Sequence, residues 1–127
     1  MARVLIVENE PDIRAALQTF FELRGYVVRL AGDGPAALQE IATEPPDVVL
    51  LDLYLPRMHG LEVLRLLQTW TPGVNVIVVS AHVDDFTRES ARALGARACL
   101  QKPVSLHDLQ TFVTYTLAKS GTPPRWH

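Results

Sequence analysis

Several short aliphatic runs of this sequence end in side chains that can do chemistry. These residues, which supply carboxylates, an amide, a hydroxyl and an ammonium group, are Glu8, Asn9, Glu10, Asp52, Ser80 and Lys102. Clustered carboxylates repel one another unless a cation lies among them, and Mg²⁺ binds one or two carboxylates together with waters and phosphate oxygens. An aspartate beside Mg²⁺ can attack a phosphoryl donor, while a lysine and a hydroxyl can bind the phosphoryl oxygens. These residue types suit phosphoryl transfer if the fold brings them together.

The runs that precede these residues predict buried strands. The runs are short and mostly rich in Val, Leu or Ile, which is typical of strands that are covered on both faces, although the second and the last are less purely aliphatic. The five predicted strands are Val4–Val7, Tyr26–Leu30, Val48–Leu51, Val74–Val79 and Ala98–Leu100.

A stretch with helical spacing of apolar residues follows each run. Pro11 suits the start of the first helix and Gly25 its end, and Ser105 suits the N-cap of the fifth. The fourth helix, roughly Asp84 to Leu94, has only a thin apolar stripe. The apolar positions of the five helices are Ile13, Leu17, Phe20 and Phe21; Ala37, Leu38 and Ile41; Leu61, Leu64, Leu67 and Trp70; Phe86, Ala93 and Leu94; and Leu106, Leu109, Phe112, Val113, Thr116 and Leu117.

Five strand–helix units in sequence predict an α/β fold in which a five-stranded parallel sheet is doubly wound, with helices on both faces. In the flavodoxin-like strand order 2-1-3-4-5, the first and third strands flank the topological switch point. Ligands of open α/β sheets bind beyond the carboxyl ends of the strands at this point. The chemical residues all follow the carboxyl ends of strands, and Glu8 and Asp52 are expected to be neighbours.

The composition limits the remaining classes of function. The chain has 127 residues, 48% hydrophobic and 20% charged, which is ordinary for one folded domain. We assign residues 1–119 to that domain and residues 120–127 to a C-terminal tail or linker stub. A net charge of -2 without a basic stripe argues against direct nucleic-acid contact, and no apolar run reaches the roughly 18 residues of a membrane-spanning helix. A single cysteine, Cys99, and no signal-peptide core favour a cytoplasmic location.

The sequence resembles the receiver domains of bacterial two-component response regulators. Four segments carry the resemblance, in order and at family-like spacing: residues 4–11, VLIVENEP; residues 48–60, VVLLDLYLPRMHG; residues 78–81, VVSA; and residues 101–103, QKP. The resemblance implies that Asp52 is the phosphoacceptor, that Lys102 contacts the phosphoryl group and that Ser80 is the switch hydroxyl. It also implies a Mg²⁺ site made by Glu8, Asn9, Asp52 and the backbone carbonyl of Tyr54.

The resemblance also implies partners. A sensor histidine kinase or a phosphotransfer protein would donate the phosphoryl group. The signal would leave through the face formed by the fourth helix, fifth strand and fifth helix, towards a downstream protein or a fused output domain. Membrane contact is not expected, and a homodimer is left open. The domain would be a switch and not an enzyme, apart from its own phosphorylation and dephosphorylation.

Three positions depart from the family pattern. The family usually has two aspartates where this chain has Glu8 and Asn9. Because Asn9 is neutral, we expect weaker Mg²⁺ binding, on the order of a kcal/mol or more. Cys99 lies three residues before Lys102, where the family usually has an aromatic ring that couples the hydroxyl to the output face. The switch is therefore expected to differ from that of typical members.

The sequence leaves other classes of function open. The departures at Asn9 and Cys99 allow an atypical receiver-fold module that binds its partner independently of phosphorylation. A phosphatase on a similar sheet would also use a strand-end aspartate, but it needs a second aspartate two residues later, where this chain has Tyr54. A flavin-binding protein is a weaker reading, and no glycine-rich phosphate-binding motif is present in the sequence.

Overall fold

The computed structural model describes residues 1–118, in which five strands alternate with five helices. The strands are β1 (Arg3–Val7), β2 (Val27–Ala31), β3 (Val48–Leu51), β4 (Asn75–Ser80) and β5 (Ala98–Gln101). The helices are α1 (Pro11–Glu22), α2 (Gly34–Thr43), α3 (Gly60–Trp70), α4 (Asp85–Ala93) and α5 (Leu106–Ala118). All strand pairs are parallel, in the order β2-β1-β3-β4-β5, which confirms the predicted fold. The predicted boundary at residue 119 and the predicted tail lie outside the described residues.

Each face of the sheet has its own hydrophobic core. On β1, Leu5 and Val7 pack into the core beneath α2, α3 and α4, while Val4 and Ile6 pack into the core beneath α1 and α5. Neighbouring residues of a strand point to opposite faces, so a strand that is covered on both sides must be apolar throughout. Each such side chain contributes about 1.5–3 kcal/mol when it is fully buried.

Four residues that were predicted to be apolar contacts are instead exposed. Trp70 and Ala93 are the last residues of α3 and α4, and Leu106 is the first of α5, so these three lie at helix ends, beyond the packed middle of the helix. Phe86 is 75% exposed because α4 packs through the smaller side chains of Thr87 and Ala91, which are one turn apart on a different side of the helix. None of the helices in residues 1–118 has both the length and the apolar composition needed to cross a membrane.

Polar side chains join the strands at the amino-terminal edge of the sheet. The buried amide of Asn75 donates to the carbonyl of Asp47 (3.0 Å) and accepts from Nε of Arg97 (3.1 Å). The Asp47 carboxylate accepts from the backbone N–H of Arg3 (2.7 Å). These bonds link the starts of β1, β4 and β5 to the residue before β3, at the edge opposite the predicted chemical residues.

Candidate functional site

The pairing of β1 with β3 brings the two carboxylates of the site together. Val7 is opposite Leu51 in the parallel register, so Glu8 and Asp52 follow side by side at the carboxyl edge. The backbone N–H of Asp52 donates to the carbonyl of Val7 (3.0 Å), which extends the pairing by one residue. Both acids are buried, at 3% and 8% exposure respectively. Burial of two neighbouring carboxylates requires a positive partner.

Lys102 supplies that positive charge. Its Nζ lies 2.7 Å from Oε1 of Glu8 and 3.1 Å from Oδ2 of Asp52. β5 delivers the lysine to this edge, and its backbone N–H donates to the carbonyl of Ser80 at the end of β4 (2.8 Å). The sequence prediction that these three side chains meet is therefore confirmed, although they are 50 and 94 residues apart in the chain.

The surroundings of Lys102 favour its charged form. Burial lowers the pKa of the ammonium, but the hydrogen bonds to Glu8 and Asp52 and the charges of both carboxylates outweigh burial, so that the net pKa is raised. The group formed by Glu8, Asp52 and Lys102, here called the charged triad, has a formal net charge of -1. An additional cation or a neutralising ligand would be attracted to it.

Backbone N–H groups occupy the remaining carboxylate oxygens of the triad. The N–H of Tyr54 donates to Oδ1 of Asp52 (3.1 Å), and that of Glu10 donates to Oε2 of Glu8 (3.0 Å). Each carboxylate is thus held at both oxygens, which fixes its orientation. Each oxygen still has a second lone pair that can bind a ligand.

Ser80 ends β4, one strand away from Asp52. Its hydroxyl is completely buried and has no hydrogen-bond partner in residues 1–118. Most buried hydroxyls in proteins have a partner, so an unsatisfied one calls for an explanation. A ligand that binds at the carboxyl edge of the sheet and accepts a hydrogen bond from Ser80 would explain the unsatisfied hydroxyl.

Only some of the residues predicted to bind Mg²⁺ have side chains that lie close together. Glu8 and Asp52 are adjacent and buried, whereas the Asn9 side chain is exposed. Within the part of the chain that the structure describes, no cluster of three or more histidine, cysteine, aspartate or glutamate side chains has metal-binding geometry. Of the four predicted ligands, two are therefore adjacent carboxylates at the carboxyl edge of the sheet.

The Tyr54 side chain joins two loops near Asp52, which the sequence analysis did not predict. Its hydroxyl donates to the carbonyl of His82 (3.4 Å), and its ring meets that of His59 edge to face at 5.4 Å between centroids. His59 in turn is the N-cap of α3, since its Nδ1 accepts from the N–H of Leu61 (3.1 Å). No periodic signal in the sequence could have indicated these contacts between loops.

Cys99 is buried in the core beneath α4. Burial raises the pKa of its thiol, and the positive charge of Arg88 opposes this effect only in part. Nη1 of Arg88 donates to the backbone carbonyl of Cys99 (3.1 Å), so a side chain of α4 contacts β5 at this position. Cys99 is therefore poorly suited to nucleophilic chemistry.

Comparison with known proteins agrees with this geometry. The profile described as the response regulator receiver domain matches residues 4–114. The chain is 41% identical over 108 residues to the transcriptional regulatory protein KdpE of Mycobacterium tuberculosis, covering 85% of this chain and 47% of that protein. It is 36% identical over 107 residues to the response regulator MprA of Mycobacterium ulcerans, covering 84% and 46%. The chain spans about half the length of these curated relatives.

Solved structures show the same architecture. A CheY-like response regulator receiver domain protein from Methanospirillum hungatei superposes with a TM-score of 0.91 at 28% identity, over 94% of this chain and 95% of that chain. The receiver domain of the Francisella response regulator 1452 superposes with a TM-score of 0.88 at 27% identity, over 94% and 98%.

Proposed function

Because the chain belongs to the response regulator receiver domain family of two-component systems, we propose that it is a phosphorylation-dependent switch whose phosphoacceptor is Asp52. The observation that carries the proposal is the bridging ammonium of Lys102, 3.1 Å from Asp52 and 2.7 Å from Glu8. A carboxylate that only ended a strand would not need a partly buried lysine as its partner. The charged triad holds a nucleophile and a phosphate-binding cation together at the switch point of the sheet.

In the proposed reaction, a carboxylate oxygen of Asp52 attacks the phosphorus of a phosphohistidine on a sensor kinase or a phosphotransfer protein. A P–O bond forms as the P–N bond breaks, and the imidazole leaves with the bonding electron pair and takes up a proton. The Tyr54 N–H and the Lys102 ammonium orient the carboxylate before the donor arrives. Lys102 then offsets the charge of the phosphoryl oxygens.

The donor set fits Mg²⁺, which binds to one or two carboxylates and keeps several waters. Glu8 and Asp52 offer the carboxylates, Asn9 an exposed amide oxygen and Tyr54 its backbone carbonyl. When bound, Mg²⁺ would neutralise part of the negative charge that accumulates on the transferred group. The neutral Asn9 makes the proposed affinity lower than that of a site with three acids.

The unsatisfied hydroxyl of Ser80 supports its proposed role in switching. A phosphoryl oxygen on Asp52 could accept the hydrogen bond that Ser80 cannot make within residues 1–118. The loop between β4 and α4 would follow the hydroxyl, and the change would reach the face of α4, β5 and α5. We propose that a downstream protein or a fused output domain reads this face, since the matched relatives are about twice as long as this chain.

The remaining expectations form part of the same proposal. The protein would act in the cytoplasm, without direct contact to nucleic acid, and would turn over no substrate apart from its own phosphoryl group. Its partners would be the phosphodonor protein and the receiver of the signal. An atypical module that is independent of phosphorylation gains no support from the assembled charged triad, so we do not favour it.

Intact-mass measurement after incubation with an acyl phosphate tests the phosphoacceptor. We expect one added phosphoryl group in the wild-type protein with Mg²⁺ and none in Asp52→Asn. Asp85→Asn, which removes an exposed acid of α4, serves as the matched control and should be phosphorylated like the wild type. Absence of the modification in the wild type at every Mg²⁺ concentration, or its persistence in Asp52→Asn, would contradict the proposal.

A further inference from the structure

Arg14 reaches from α1 back to the loop that carries the proposed metal ligands. Its Nη1 donates to the backbone carbonyl oxygen of Glu8 (2.8 Å) in a partly buried position. A hydrogen bond from a charged donor is roughly twice as strong as one between neutral groups. The contact fixes the peptide unit that joins Glu8 to Asn9.

Gly32, which follows β2, leaves the space that the guanidinium occupies. A Cβ atom at this position would lie 3.0 Å from Nη1 of Arg14, and its nearest neighbours belong to that guanidinium. The backbone of Gly32 does not adopt a positive φ, so its conformation does not require glycine. The glycine at position 32 therefore provides the space in which the Arg14 guanidinium lies.

Asn9 lies between two peptide units that are both held by hydrogen bonds. The unit before it is held through the Glu8 carbonyl by Arg14, and the unit after it through the N–H of Glu10 by the Glu8 carboxylate. The backbone N–H of Glu8 itself donates to the carbonyl of Ala31 (3.0 Å). The backbone on both sides of this exposed loop residue is thus held in place.

We propose that Arg14 is a positioning residue for the Mg²⁺ site, which it serves by fixing the turn Glu8–Glu10 from the side of Gly32. The inference rests on the proposed function, because it assumes that Mg²⁺ binds beside Glu8 and Asp52. Arg14 touches neither the metal nor the phosphoryl group in this proposal. Its effect is exerted through the orientation of Glu8 and Asn9, as expected for groups that orient metal ligands.

Mg²⁺ titration followed by calorimetry separates positioning from simple charge repulsion. Arg14→Met keeps the apolar stem and removes the donors, and Gly32→Val displaces the guanidinium but keeps its charge. If Arg14 positions the turn, both variants should bind Mg²⁺ about tenfold or more weakly. If Arg14 acted only as a nearby positive charge, Arg14→Met would bind Mg²⁺ more tightly and Gly32→Val would bind it unchanged. This second pattern would overturn the proposal.

Arg24→Met is the matched control. Arg24 also donates from Nη1 to a backbone carbonyl, that of Phe20 (3.0 Å), but it follows α1 at the end away from the site. Its removal should leave Mg²⁺ affinity unchanged. Weakening equal to that of Arg14→Met would show a general effect of removing arginine and would contradict the inference. Arg14→Lys retains the charge and one donor group, and should recover part of the affinity.

Amide hydrogen exchange at Glu10 tests the positioning without Mg²⁺. The N–H of Glu10 should exchange at least several-fold faster in Arg14→Met than in the wild type, because its bond to Glu8 depends on the fixed turn. Unchanged exchange would overturn the inference. If the wild type bound no Mg²⁺, the metal site of the proposed function would fail, while the exchange experiment would still decide whether Arg14 orders the turn.

Discussion

At the scale of single residues, the site depends on one lysine that serves two carboxylates. Glu8 and Asp52 are buried next to each other and Lys102 is their shared partner, with its side chain 22% exposed. Removal of one partner from a buried ionic group is costly because the remaining charges lose their compensation. Removal of one partner costs less stability at the exposed pair of Arg65 and Glu62, because water screens the charges of that pair.

We predict that Lys102→Met lowers the free energy of unfolding by about 3 kcal/mol at pH 7. Arg65→Met should change it little. The stabilisation by Lys102 also has a defined pH window. The pKa of Lys102 is raised in the folded protein from its ordinary value of 10.5, so the stabilisation is complete below that pH and is lost as the pH rises through the higher folded pKa.

Urea unfolding between pH 7 and pH 11 measures this effect. The difference between the wild type and Lys102→Met should be constant up to about pH 10 and then decrease. A difference that stayed constant throughout, or that was absent at pH 7, would show that the ion pair does not stabilise the fold.

At the scale of elements, α3 begins against the backbone of the loop that follows Asp52. The N–H of Gly60, the first residue of α3, donates to the carbonyl of Leu53 (2.7 Å). A Cβ atom at Gly60 would lie 2.5 Å from Cα of Leu53 and 2.6 Å from the carbonyl oxygen of Asp52. Both are backbone atoms, so no side-chain rotation could relieve the contact. The start of this helix therefore fixes the loop that follows Asp52.

We predict that Gly60→Ala destabilises the protein by about 2–3 kcal/mol and slows phosphorylation of Asp52, because the helix must move away from the loop. Gly73→Ala is the control, since Gly73 has open space but a positive φ of 96°. It should cost about 1 kcal/mol and leave the phosphorylation rate unchanged. Thermal unfolding and the intact-mass assay give both quantities. Equal phosphorylation rates in the two variants would contradict the role of Gly60.

The elements also show which features a sequence can predict. All five strands were found to within a residue or two at each end, because short aliphatic runs have a clear signature. The prediction that all five are buried was wrong for β2, which lies at the edge of the sheet and is only partly covered. The packed face of α4 was not found, since Thr87 and Ala91 form it and the large Phe86 points away. Hydropathy favours large apolar residues, so a helix that packs through small ones is interpreted wrongly. The contact of Arg14 with Glu8 has no periodic signal at all.

At the scale of the whole molecule, one sheet separates two cores and carries the site on a single edge. The other edge is joined by the hydrogen bonds of Asp47, Asn75 and Arg97. The meeting of Glu8, Asp52 and Lys102 could be predicted because all three follow strands of one parallel sheet. The unsatisfied hydroxyl of Ser80 and the Tyr54 contact to His82 could not, because they depend on three-dimensional packing between loops.

We predict that the two cores unfold together. Leu5→Ala and Ile6→Ala each remove a fully buried side chain from opposite faces of β1, and each should cost about 2–5 kcal/mol. Since both cores share the sheet, either variant should shift one common unfolding transition. Methyl NMR signals from side chains of each core, followed during urea unfolding, check this. Separate midpoints for the two cores, in either variant, would show that the cores are independent.

The long separation in sequence between Lys102 and its partners has a consequence for the newly made chain. Glu8 and Asp52 are synthesised 94 and 50 residues before the lysine that bonds to them. During translation, β1 and β3 can be present outside the ribosome while the shared cation is still missing. The two carboxylates then repel each other if their strands pair, so the amino-terminal half should gain little by folding early. Completion of the fold is thereby tied to the arrival of β5, and a chain truncated before β5 should not form the site.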